Sequence, residues 1–174
     1  MHIRPARSDD ASAIWDIIGP TIRAGETYAL DRDMSEADAL AYWMGDDRKT
    51  FVTEENGVLV GTYYLRANQA GGGQHICNCG FMTSASATGR GVARAMLSHA
   101  LDHAQRQGFR GMQFNFVVSA NTRAVSLWTS FGFEIVGRLP RAFHHPGLGY
   151  VDAFVMFRSL EGALPPGTTT AASR

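Results

Sequence analysis

The sequence predicts a mixed α/β fold, a central twisted mixed sheet of about six to seven strands flanked by about four helices. Three observations predict it. Two strand-like runs flank Asn56-Gly57, a strong hairpin signal, in the first half of the chain. Beyond them, apolar strand-like runs alternate with helical periods, the order of strand–helix–strand units. Apolar residues make up 45% of 174 residues, enough for the core of one domain, read as residues 1–160. Residues 161–174, rich in Pro, Gly, Thr and Ala, are expected to form a disordered tail.

Taken in order, residues 2–7 read as a first strand closed by Pro5. Ser8 or Asp9 can cap a helix whose apolar residues Ala11, Ile14, Trp15, Ile17 and Ile18 recur at helical spacing, and Gly19-Pro20 is expected to break it. A second helical piece covers residues 21–25, and an irregular connection covers 26–32. Ser35, with Asp38 three residues on, resembles a capping box opening a helix through Leu40, Tyr42, Trp43 and Met44. Strands follow at 49–54 and 58–67, then a flexible triple-glycine loop and a strand at 75–83. A long helix at about 90–107 stops at Gly108, before a strand at 112–119 and a helix at 121–131. Residues 134–138 and 150–158 read as the last strands, joined by a Gly/Pro loop holding His144 and His145.

Lys plus Arg equals Asp plus Glu at 16 each, which argues against a nucleic-acid footprint or electrostatic attachment to a membrane. No apolar run reaches the roughly 18 residues of a transmembrane helix, and no secretory pattern opens the sequence, so a cytoplasmic location is expected. Cys77 and Cys79 share one face of a strand and make poor disulfide partners. With His75 they fall short of a metal set, so no metal and two reduced thiols are expected.

Gly89-Arg90-Gly91-Val92-Ala93 lies between an apolar strand and the long helix. The first amides of a helix lack intrahelical partners and carry the positive end of its dipole, and glycines let a phosphate approach closely. The dinucleotide pattern fails because Arg94 stands where its third glycine belongs, and no P-loop pattern occurs.

This stretch resembles motif A of the GCN5-related N-acetyltransferases (GNAT), Gln/Arg-x-x-Gly-x-Gly/Ala, matching Gly91 and Ala93 but carrying Thr88 at its opening position. Asn121 to Trp128 (NTRAVSLW), followed by Phe131-Gly132-Phe133, is similar to motif B of the same family, in the family's order. The resemblance implies a sheet that splays open between its fourth and fifth strands, acetyl-CoA as co-substrate, and often a homodimer. It places the pyrophosphate on Thr88, Gly89, Arg90, Gly91, Val92 and Ala93, with Asn121 beside it. It pairs the pantetheine arm with the backbone of Phe81, Met82 and Thr83. Arg90 is a candidate to supply the charge that Thr88 lacks. Trp128 stands where the family commonly has a Tyr able to protonate the departing thiolate, so the proton route stays open.

Asn78 and Asn115 sit mid-strand among apolar neighbours, where an amide requires several hydrogen-bond partners. They are candidates to hold an attacking amine. The segments HICNCGF and QFNFV are similar to those of the yeast proline-analogue (azetidine-2-carboxylate) acetyltransferases. That resemblance implies substrate contacts by Asn78, Phe81 and Asn115. Asn78 and Phe81 fall on opposite faces of a regular strand, so sharing a site calls for a β-bulge, expected at Gly80. Glu26, as a base acting through water, and Tyr28, as a substrate contact, are candidates in the connection that covers the family's acceptor site. His144 and His145 are candidates for gating the acceptor or removing its proton. The expected activity is acetyl transfer to a small-molecule amine, an amino or imino acid, by direct attack. A protein or peptide N-acetyltransferase and a non-catalytic acyl-CoA sensor are the rival readings.

Overall fold

A computed structural model describes residues 1–161. Its strands are β1 (His2–Pro5), β2 (Lys49–Glu55), β3 (Val58–Ala67), β4 (Ile76–Thr83), β5 (Gly111–Val118), β6 (Glu134–His145) and β7 (Gly149–Ser159). Its helices are α1 (Ala11–Ala24), α2 (Glu36–Trp43), α3 (Val92–Arg106) and α4 (Thr122–Ser130). The strands form one mixed sheet in the order β1-β2-β3-β4-β5-β7-β6. Residues 162–174 of the expected tail lie outside the described residues.

The turn at Asn56 (φ 52°) and Gly57 (φ 79°) puts both central residues in the left-handed region, the requirement of a two-residue hairpin. Ser35 Oγ accepts the Asp38 N–H at 3.1 Å and donates to its carboxylate, so the cap of α2 is as the sequence predicts. At α1 the anchoring residue is Asp10, in place of Ser8 or Asp9. Its carboxylate accepts the Arg7 N–H at 2.7 Å and both Arg4 Nη groups at 2.7 and 2.8 Å.

Two expected breaks are absent. α1 runs through Gly19-Pro20, with Pro20 exposed while Ile14, Ile17, Ile18 and Ile22 are buried on both sides of it. That continuous apolar stripe outweighs the one backbone bond proline removes. β6 likewise continues through Pro140 to His145, so His144 and His145 end a strand instead of occupying a loop. Proline is tolerated there because β6 is the sheet's outer strand, and a bulge between Leu139 and Phe143 absorbs it.

β4 and β5 are parallel and pair only at Ile76–Gly111 and Cys77–Met112. Beyond that point they part. Between Phe114 and Val117, β5 carries one residue more than β7 opposite it, a bulge at Asn115-Phe116 that bends β5 away.

One face of the sheet packs on α3 and α4 through Tyr63, Cys77, Cys79, Met96, Phe114 and Trp128. The other packs on α1 and α2 through Trp43, Tyr64 and Met82. α3 seats closely on β3 because position 61 is glycine. A Cβ there would lie 2.7 Å from Val92 Cγ1 and 3.0 Å from Met96 Sδ. Gly61→Ala is therefore expected to destabilise the protein by about 1–3 kcal/mol in chemical denaturation, because the helix must shift or its side chains leave their rotamers.

On the same face the Tyr63 hydroxyl meets His99 Nδ1 at 2.6 Å, and Phe51 packs against both His99 and His103. Burial, reinforced by Arg106, lowers both imidazoles below the ordinary 6.5. The neutral rings fit the fold, so stability is complete above 6.5. As pH falls below that value the unfolded chain binds protons first, and stability is lost until the folded rings charge as well. Melting temperature is expected to drop as pH falls below 6.5, with a shallower slope in His103→Gln.

Candidate active site

The parting of β4 and β5 opens a cavity of about 690 Å³. It runs from the start of α3, along the unpaired edge of β4, to Asn78 and Asn115.

At the α3 end, Gly91 caps the helix in the left-handed region (φ 79°). Ala95 N–H makes the first helical bond, to Gly91 O at 3.0 Å, so the amides of Val92, Ala93 and Arg94 have no partner within the helix. Thr88, Gly89, Gly91, Val92 and Ala93 line the cavity here. Nothing lies within 4 Å of a Cβ built on Gly89 or Gly91. Arg90 is turned away: its guanidinium pairs with Glu55, and it does not line the cavity. The cations at this end are Arg94 and Arg123, which the motif reading passed over. Arg94, three residues past Gly91, lies one helical turn on, which was the available signal. Asn121 lines the cavity, but its Oδ1 accepts the Ala124 N–H at 3.2 Å and so caps α4.

Along the middle, Phe81, Met82 and Thr83 present the β4 edge that faces no strand. The expected bulge at Gly80 is absent: β3 and β4 pair without interruption from Gly61–Thr83 to Ala67–Cys77. Gly80 serves packing, since a Cβ would lie 2.6 Å from the Tyr64 ring. Asn78 and Phe81 do point to opposite faces, yet both line the cavity, because the missing neighbour strand leaves the gap open through the sheet. The bulge that matters is on the facing strand, at Asn115-Phe116. Phe81 stacks on Tyr63 and meets Phe114 and Trp128 at 6.1 and 5.3 Å between ring centres. Trp128 is 9% exposed, belongs to the core and lines the cavity.

At the far end, amides bridge the parting strands. Asn78 Nδ2 donates to Gln113 O at 2.9 Å, and Gln113 Nε2 donates to Asn115 Oδ1 at 2.8 Å. Asn115 Nδ2 then donates to Asn68 Oδ1 at 2.6 Å. Asn78 is buried at 7% exposure, and no described residue donates to its Oδ1. Asn115 is exposed, contrary to the mid-strand burial expected, because the bulge carries it out of the sheet.

Tyr28, in the 26–32 connection, hydrogen-bonds to β4. Its hydroxyl accepts the Phe81 N–H at 2.8 Å and donates to Phe81 O at 2.9 Å, standing where a neighbouring strand's amide would be. Burial raises its phenol above the usual range, so the proton stays on. Glu26 and His144 are exposed, His145 is half-buried, and all three lie outside the cavity, so none of them sits where a base would be needed. Cys79, raised well above a thiol's ordinary value by burial, stays protonated.

The model of the Acetyltransferase (GNAT) family matches residues 13–133. The chain is 30% identical over 173 residues to the N-acetyltransferase aca1 of Schizosaccharomyces pombe, an alignment covering 88% of this chain and 83% of that protein. A GCN5-related N-acetyltransferase from Kribbella flavida superposes with a TM-score of 0.86 at 41% identity, covering 91% of this chain and 96% of that one. A phosphinothricin acetyltransferase from Sinorhizobium meliloti, solved in complex with acetyl-CoA, shares the fold with a TM-score of 0.81 at 23% identity, covering 97% and 94%.

Tyr28→Phe removes the only described partner of the Phe81 N–H and C=O on that edge. A loss of about 1–3 kcal/mol in equilibrium unfolding is expected. An unchanged midpoint would mean that water replaces the hydroxyl at no cost.

Proposed function

The chain belongs to the acetyltransferase (GNAT) family, and on that ground we propose that it moves the acetyl group of acetyl-CoA to the amine of a small amino or imino acid. Acetyl-CoA is the co-substrate of this family. The observation that carries the reading is the continuity of one cavity from the unpaired α3 amides, past the Phe81 edge, to the Asn78–Asn115 bridge.

Each part has a role. The amides of Gly91, Val92, Ala93 and Arg94, with the Arg94 and Arg123 guanidiniums, suit the diphosphate. The β4 edge at Phe81, Met82 and Thr83 suits the pantetheine amides, which take the place of the absent strand and displace the Tyr28 hydroxyl from Phe81. Phe81 and Trp128 wall the thioester and keep water from it. Asn78 Oδ1 accepts from the amine, and Asn115 orients the acceptor's polar end. The amine nitrogen attacks the thioester carbon, the carbonyl oxygen takes negative charge beside the Phe81 N–H once the Tyr28 hydroxyl has released it, and the C–S bond then breaks. The proton released by the amine passes through water to the thiolate. Trp128, with no titrating group, does not supply it.

Purified protein incubated with acetyl-CoA and a panel of amino and imino acids is expected to release free CoA thiol. Tight acetyl-CoA binding without release on any small amine would overturn the proposal. Asn115→Ala is expected to lower turnover about 10-fold or more, whereas a mere acyl-CoA sensor would show no turnover to lose.

No Asp, Glu or His is among the described residues lining the cavity. The rise of kcat/KM with pH is therefore expected to follow the acceptor amine's own pKa and to move when the acceptor is changed. Glu26→Gln should leave that profile in place. An inflection that stays fixed across acceptors would instead reveal a base on the protein.

A further inference from the structure

The acceptor end of the cavity carries a charge that neither motif contains. β3 and β4 pair Arg66 with Asn78 and Tyr64 with Gly80, so Arg66, Tyr64 and Asn78 share one face. All three line the cavity. Arg66 donates through Nη1 to Asp47 Oδ2 at 3.0 Å, while its Nε is buried without a partner among the described residues. Behind it stands Arg48, with a side chain only 8% exposed. Arg48 binds the same Asp47 through Nε at 2.7 Å and Nη2 at 3.1 Å. Its guanidinium lies 4.8 Å from the ring centres of both Tyr42 and Tyr64, and its Nη1 is also buried and unpartnered among the described residues. The Tyr42 and Tyr64 hydroxyls, 3.3 Å apart, face the same cavity.

Two guanidiniums thus share one carboxylate, and Asp47 is held ionised by them, at about 2. Lys49 and Asp46, which border the smaller cavity on the other side of Arg66, cancel each other. One positive charge is left uncompensated beside Asn78. The Arg66 side chain is about a third exposed, at 32%, and its Nη2 has no hydrogen-bond partner among the described residues and is not buried, which leaves an N–H fork open to a carboxylate. The other cations lining the cavity, Arg94 and Arg123, lie near the starts of α3 and α4. They are separated from Arg66 by the length of β4 between Asn78 and Thr83, about 16 Å at a strand's rise.

We propose that Arg66, backed by Arg48 and the Tyr42–Tyr64 hydroxyl pair, recognises the carboxylate of the acceptor, so that the enzyme selects amines bearing a free acid group. The inference rests on the acetyl-transfer reading above and adds to it the residue that sets the substrate class. The acid group sits against Arg66 while the amine of the same molecule meets the amides of Asn78 and Asn115.

The test compares an amino or imino acid with its own carboxamide as acceptor, at a pH where both amines are deprotonated. The wild-type protein is expected to favour the acid at least about tenfold in kcat/KM. Arg66→Gln is expected to raise KM for the acid by about tenfold or more and to reduce the preference to within about twofold, with KM for acetyl-CoA moving less than about twofold. Arg66→Lys, which keeps the charge and loses the fork, should fall between. Equal use of acid and carboxamide by the wild type, or a preference that survives Arg66→Gln, overturns this proposal and leaves the acetyl-transfer reading standing. Absence of CoA release with every amine overturns both. If Arg66→Gln does not fold, the wild-type comparison decides alone.

Discussion

Two backbone pairs, Ile76 with Gly111 and Cys77 with Met112, join β4 to β5, and the functional half of the molecule depends on their being so few. Parallel strands that paired along their whole length would leave no gap, no strand-free edge at Phe81 and no cavity. The separation is built from two sides. The bulge at Asn115-Phe116 bends β5 towards β7, and the Asn78 side chain spans the opening to Gln113 O where a main-chain bond would otherwise form. A side-chain amide thus holds the strands at a fixed width, and the aromatic cluster of Phe81, Phe114 and Trp128 fills one wall of the wedge.

Charge within the cavity follows the same division. Cations stand at its two ends, neutral amides between them, and no carboxylate or imidazole lies among its described lining residues. Burial raises Tyr28, Tyr64 and Cys79, so each keeps its proton through the neutral range. A site of that kind suits catalysis by placement, through oriented dipoles and fixed guanidiniums, which is the mechanism proposed above.

Much of this was legible in the chain. The Asn56-Gly57 hairpin, the Ser35 cap, the glycine loop before α3 and the second motif in α4 all follow from local rules, and local rules sufficed. What escaped were matters settled by distant partners. Pro20 and Pro140 sit where the missing N–H faces no ladder or is outweighed by burial on either side. Arg90 turned from the glycine loop because Glu55, on β2, reached it first. The bulge inferred from the spacing of Asn78 and Phe81 was a sound demand placed on the wrong strand: β5 supplies it, and the open edge of β4 removes the conflict. Arg66 carried no motif at all. Only the register of β3 against β4 puts it beside Asn78.

The hydroxyl of Tyr28 on the Phe81 backbone has a consequence outside chemistry. The strand it covers, ICNCGFMT, is uncharged and mostly apolar, the composition of segments that stack between molecules when their edges are exposed. A single phenol, delivered by an otherwise irregular loop, occupies both hydrogen-bonding groups at the middle of that edge. Colloidal stability of the folded protein therefore rests partly on a loop residue.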